Sequence, residues 1–205
     1  MKRTIPALLL LAACTGGADE PAPQPPAQEA PSLPPRAEAR QDTILLEGMP
    51  EIITSHLYQA PASFPLPFST YIPEGMAPET VSAEEGEAIR VVVEFGGRRN
   101  ENAYLQITAL PAGTTEAQAR EIARSQAAEG IQPDDVPFYP WSIAEHMFMR
   151  GGQRGFVVGR LALGRHGGRY FTIMSHYPAE YGDGLGPRID YILRNWRWED
   201  TGQGL

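Results

Sequence analysis

The prolines decide how much of this chain can fold. Many of the 20 crowd into the first forty of 205 positions, where rings without a backbone N–H oppose both helix and sheet. Residues 15–45, from Thr15-Gly16-Gly17 through Pro34-Pro35-Arg36 and onward, hold Pro, Ala, Gln and Glu with almost no large apolar side chain. Such a stretch cannot bury enough surface to offset ordering entropy, which predicts a disordered, partly polyproline tether with a reach on the order of 3 Å per extended residue. What remains, residues 46–205, is the size of one domain. An apolar content of 42% supports a sizeable core there.

Residues 1–14 read Met-Lys-Arg-Thr, then Ile5-Pro6-Ala7-Leu8-Leu9-Leu10-Leu11-Ala12-Ala13-Cys14. The apolar run is too short to span a bilayer, which takes about 20 residues. Leu11-Ala12-Ala13-Cys14 resembles the lipobox of bacterial lipoproteins. The resemblance implies removal of residues 1–13 as a signal peptide, lipidation of Cys14, and an anchor of several acyl chains on the cell envelope. Cys14 is the only cysteine, so no disulfide can form within one molecule. Thr15 follows where inner-membrane retention in enteric lipoproteins usually shows Asp, which leans toward the outer membrane, facing the periplasm.

The net charge is −8, two units more negative once Lys2 and Arg3 leave with the leader. That balance argues against nucleic acid, whose phosphates need a net or clustered positive field. One local exception stands out. Between Glu145 and Glu180 no acidic residue occurs, while Arg150, Arg154, Arg160, Arg165 and Arg169 all do. Set along one rim, these guanidinium groups would be a candidate anion or partner site; the competing reading has them paired with acids such as Glu84, Glu85 and Glu87.

Along the domain, residues 44–53 are weakly apolar and interrupted by Gly48 and Pro50, suggesting an arm or short strand. Phe64 to Ile72 alternates into a turn at Pro73-Glu74-Gly75-Met76. Residues 88–95 and 103–107 read as adjacent antiparallel strands joined through Gly96-Gly97 and the charged residues 98–102. Thr115, three residues before Gln118, opens a capped helix over 115–129 with Gly130 placed to end it. Residues 131–144 carry Pro133, Pro137 and Pro140 among Phe138, Tyr139 and Trp141, a loop that either covers a core edge or serves as a candidate recognition loop. Strands follow at 145–149, 155–163 and 169–177, the last two joined by a tight turn at Gly167-Gly168. A final helix has Pro187 in its first turn and Ile189, Ile192, Leu193 and Trp196 on one face, and Trp196-Arg197-Trp198 closes the domain.

Meander strands with one helix inserted and one at the end predict an α+β fold, an antiparallel sheet flanked by helices. The run Phe68-Ser69-Thr70-Tyr71-Ile72-Pro73-Glu74-Gly75-Met76, the threonine-started helix, the hairpin ending in Tyr170-Phe171-Thr172-Ile173 and the final Ile192-Leu193-Arg194-Asn195-Trp196-Arg197-Trp198 resemble the PsbP-like, DcrB-like group of α/β/α sandwich domains over residues 60–200. The resemblance implies a binding or assembly role and carries over no catalytic residue.

Catalytic and metal-binding patterns are sparse. His56, His146, His166 and His176 show no short metal-ligand spacing, and Glu145-His146, adjacent on a strand, point to opposite faces. No nucleophile elbow, phosphate loop, dinucleotide fingerprint or His-Glu-x-x-His occurs, and no cofactor is implied. The leading expectation is a non-enzymatic envelope lipoprotein that binds a protein partner; the alternative is a carrier of an apolar or anionic small molecule in a sheet–helix pocket, with a motif-poor hydrolase behind both. A pocket of about 300 Å³ or more, bounded by the 131–144 loop, would favour the carrier, and a flat exposed aromatic patch the partner module.

Overall fold

The computed structural model describes residues 33–127, 138–152 and 155–205. The leader, Cys14, the tether up to residue 32, the stretch 128–137 with Gly130, and Arg154 lie outside them. Ten strands form two antiparallel sheets. The smaller has the order β1-β2-β3-β10, from Ala39–Leu46, Met49–Gln59, Phe68–Pro73 and Arg197–Trp198. The larger has the order β4-β5-β6-β9-β8-β7, from Met76–Ala83, Gly86–Phe95, Arg98–Ala109, Arg169–Pro178, Gly155–His166 and Ala144–Gly152. Helix α1 spans Glu116–Gln126 and α2 spans Gly182–Arg194, the latter entered through a 3-10 turn at Ala179–Tyr181.

Three expectations are corrected. The chain is not an α/β/α sandwich: strand takes 54% of the described residues and helix 17%, a β-rich fold with two antiparallel sheets and only two short helices. The extra sheet comes from segments whose apolar content is modest. β1 is largely exposed at alternate positions, and β4, carrying Pro78 and three polar side chains, alternates between exposed and half-buried after Met76. Neither shows the continuous apolar run by which a buried strand is recognised. Second, the tether does not extend to residue 45, because β1 begins at Ala39 and pairs with β2 along its whole length, from Ala39–His56 to Leu46–Met49. Gly48 does not interrupt an arm. Glu47 and Gly48, at φ of 51° and 80°, are the two central residues of a hairpin turn, and positive φ at both gives the twist that antiparallel strands need. Third, α2 starts five residues before Pro187, which lies inside it.

Other expectations hold. Thr115 caps α1: its hydroxyl accepts from the Gln118 N–H while the Gln118 side chain accepts from the Thr115 N–H, the reciprocal arrangement of a capping box. The β8–β9 hairpin turns at Gly167-Gly168, and β5 and β6 pair as read, although the charged residues 98–102 are strand rather than turn, with a register shift at Val92/Val93.

The main core lies on one face of the larger sheet. Ile89, Val91, Leu105, Ile107, Phe171 and Ile173 meet Phe68 and Ile72 from β3 and Leu185, Ile189 and Ile192 from α2. Phe68 stacks on Trp196 at 3.9 Å between ring centroids. On the opposite face α1 buries Ala119 and Ala123 against Leu161, Leu163 and Tyr170, with Ile122 partly buried beside them, so small side chains at the buried contacts bring its axis close to the sheet. The other side of α2 presents Tyr191 to Ile44, Ile53 and Tyr71 of the smaller sheet. This helix is therefore held from both sides, and one edge of it is left facing the 138–143 loop.

Candidate functional site: a groove beside the aromatic loop

Glu145, the first acid after a run of apolar and aromatic residues, sets the shape of that loop. It lies on β7 with 3% exposure. One carboxylate oxygen accepts from the Tyr139 N–H and the Ser142 hydroxyl, both at 2.7 Å, and the other from Arg160 at 2.7 Å. Burial alone would raise its pKa, but these donors outweigh burial and hold it below the ordinary glutamate value. The same Arg160 guanidinium sits 4.4 Å from the centre of the Phe138 ring. Two of the three bonds to this buried carboxylate thus pin an irregular loop, and the third ties it to β8.

The pinned loop presents a small aromatic array. Phe138 meets Tyr139 edge to face at 4.9 Å, Tyr139 stacks on Trp141 at 5.3 Å, and Trp141 continues to the core ring Phe171 at 5.8 Å. Together with Pro140 these residues form one wall of a groove of about 580 Å³, within the range of small-molecule sites. Thr43, Ile44 and Leu45 of β1 supply a second wall, Pro187, Asp190, Leu193 and Arg194 of α2 the floor, and the C-terminal Leu205 closes one end. The lining is mainly apolar, and one side opens to solvent.

Asp190 is the polar feature that stands out. Half-buried in this setting, its carboxylate has its pKa raised, with burial the main cause and Arg194 and Arg160 opposing it. Among the described residues no hydrogen bond or ion pair reaches that carboxylate. Arg194, one helical turn on and exposed, directs its Nε to the backbone oxygen of Asp190 instead, at 3.3 Å. The nearby hydroxyls of Tyr139 and Tyr177 are themselves pushed up, first by burial and then by the Asp190 charge.

Of the candidate recognition residues, Phe138, Tyr139 and Trp141 therefore come together on one wall. The arginines do not line one rim. Arg160 and Arg165, five residues apart on β8, point to opposite faces: Arg160 joins Glu145, while Arg165 lies over Tyr170 at 5.4 Å. Arg150 donates to the Gln126 carbonyl at 3.0 Å and lies over Phe148, and Arg169 borders a separate cleft beside residues 111–114. The histidines are also dispersed. His166 stacks on Trp198 at 3.9 Å and contacts Asp200 at 2.8 Å, His176 donates from Nδ1 to the Asn102 carbonyl, and His56 faces Glu74 at 3.4 Å. Among the described residues no group of three or more His, Cys, Asp or Glu is placed to hold a metal ion, and no helix is long and apolar enough to cross a membrane.

Sequence reading missed Asp190, the β1 wall and the organising role of Glu145. A signal existed for two of them. Glu145 follows Ser142 by three residues and is the last acid before the arginine run, and Asp190 falls at i+3 from Pro187 on a helix whose neighbouring positions are apolar. Compared with known proteins, the chain matches no protein-family model and no curated protein.

Proposed function

We propose that this protein is an envelope lipoprotein, anchored through Cys14, whose β-rich domain holds a small, largely apolar molecule in the groove between β1, the 138–141 loop and α2. The observation that carries the reading is the groove itself: about 580 Å³ with an aromatic wall, held open by a buried carboxylate that bonds the loop rather than the solvent. A concave apolar site with a few polar groups is what small-ligand binding requires. The domain's strands supply the rigid support. In the anchored protein, the tether would let the groove work near the membrane surface.

A neutral naphthylamine fluorophore tests this directly. One probe is expected to bind per chain, with energy transfer from Trp141, and Thr43→Trp, which fills the β1 wall, is expected to abolish it; binding that survives the filling substitution refutes the groove as the site. Mass spectrometry of protein from its native host tests the anchor, and an unmodified Cys14 thiol or an intact leader would remove the envelope placement.

A protein-partner role keeps one specific support. Met147, Met149 and Phe156 are 40%, 54% and 57% exposed, and register places them on one face of the β7–β8 hairpin, where Met149 opposes Val158 and Gly151 opposes Phe156. β7 is the edge of its sheet, and unpaired edges accept added strands.

A further inference from the structure

Resting on the small-molecule reading, we infer that the ligand carries a protonated amine, seated at the Asp190 carboxylate against the stacked Tyr139 and Trp141 rings. Four observations converge on that spot. Asp190 lines the groove floor. Its carboxylate is half-buried and reached by no donor among the described residues, although a carboxylate taken partly out of water gains from a charged donor. The arginines close enough to affect it are otherwise directed, Arg160 to Glu145 and Arg194 to a backbone oxygen. The same groove is lined by the Tyr139–Trp141 pair, 5.3 Å apart and nearly parallel, with Tyr139 close enough to Asp190 to feel its charge, and aromatic faces attract organic cations, the more so when water is excluded. A carboxylate sharing an apolar groove with aromatic rings selects an ammonium group attached to an apolar or aromatic body. A neutral ligand would leave the carboxylate unmatched, and an anionic one would be repelled by it.

The experiment uses 2-phenylethylammonium and its neutral near-isostere 2-phenylethanol, titrated calorimetrically into the full-length mature protein at pH 7 and followed in parallel by Trp141 fluorescence. The ammonium is expected to bind at least ten-fold more tightly. Asp190→Asn, nearly the same shape, is expected to erase the difference while 2-phenylethanol binds as before, which also certifies that the variant groove is intact. Equal affinity of the two compounds for the unaltered protein, or a preference that survives Asp190→Asn, overturns the amine assignment and leaves the groove reading standing. Failure of both compounds to bind overturns the two together.

Discussion

Tyr191→Phe removes one oxygen atom and tests whether the segment before residue 46 is truly part of the fold. The Tyr191 hydroxyl, on a residue 4% exposed, donates to Asp42 Oδ2 at 2.7 Å, shares a 2.7 Å bond with Ser55 Oγ and accepts from Arg40 Nε at 3.1 Å. Arg40 in turn pairs with Asp42 at 2.6 Å, bonds the Asn195 side chain and lies 4.0 Å from the Tyr71 ring centre. Without the hydroxyl, Ser55 Oγ, fully buried, keeps only a 3.5 Å approach to the Arg40 carbonyl. Losing the neutral bond and stranding Ser55 costs about 1–1.5 kcal/mol. The bond to the Asp42 carboxylate adds about 1 kcal/mol, taken at the low end because Asp42 and Arg40 are about one-third exposed. The sum, about 2–2.5 kcal/mol, lowers the melting temperature of a domain this size by roughly 5–9 °C. Calorimetry reads the shift, and a double-mutant cycle with Ser55→Ala is expected to show coupling of about 1 kcal/mol. A melting temperature changed by less than about 1 °C would refute the reasoning and return residues 39–46 to the tether.

Two further substitutions bear on the site. Glu145→Gln leaves Arg160 without its carboxylate and weakens two loop bonds, which is expected to cost about 2–4 kcal/mol; urea unfolding checks it, with Trp141 emission reporting the loosened loop. Because the folded pKa of Glu145 is lowered, its contribution is full above the unfolded glutamate value and disappears as pH falls through the folded one. The gap between wild type and Glu145→Gln should therefore narrow on acidification. Asp190→Asn has the opposite sign. Its raised folded pKa makes the ionised form a burden that is relieved as pH falls through that value, so the ligand-free variant should melt slightly above wild type at pH 7, and a clear drop would contradict the absence of a partner for the carboxylate.

What could be read from the sequence followed what local chemistry dictates. Thr115 with Gln118, the Gly167-Gly168 turn and the β-branched run of β5 each depend on residues within a few positions, and each was legible. β1 and β4 were not, because their inward side chains are few: β4 is an edge strand paired only with β5, and β1 draws in addition on partners far along the chain, Arg40 from Tyr191 and Asn195, with Arg36 just before it bonded to Ser69 and the Asn195 carbonyl. Proline content near Arg36 predicted a disordered tether. It could not reveal that arginines there find acceptors on α2 and β3. The same limit hid the groove, whose three walls come from residues 43–45, 138–141 and 187–194; only the aromatic loop announced itself.

Glu145 and Asp190 show how two acids beside one loop come to different ends, one as scaffold and one as the proposed binding group. Both approach Tyr139, and both lie within the influence of Arg160. Arg160 can make a close ion pair with one of them, and strand register decides which: Met147 lies opposite Arg160 and Glu145 opposite Ala162, so Glu145 and Arg160 project from the same face of neighbouring strands. With Arg160 and two loop donors in place, Glu145 has its bonds made and its pKa lowered, and nothing remains for it to hold except the loop. Asp190, on a helix set by different contacts, arrives at the groove with its charge unmatched and its pKa raised. Glu145 is the more deeply buried of the two, yet its pKa is lowered and that of half-buried Asp190 raised, so desolvation cannot be what distinguishes them. The donors do, and their absence at Asp190 among the described residues is what would let the groove select for charge as well as shape.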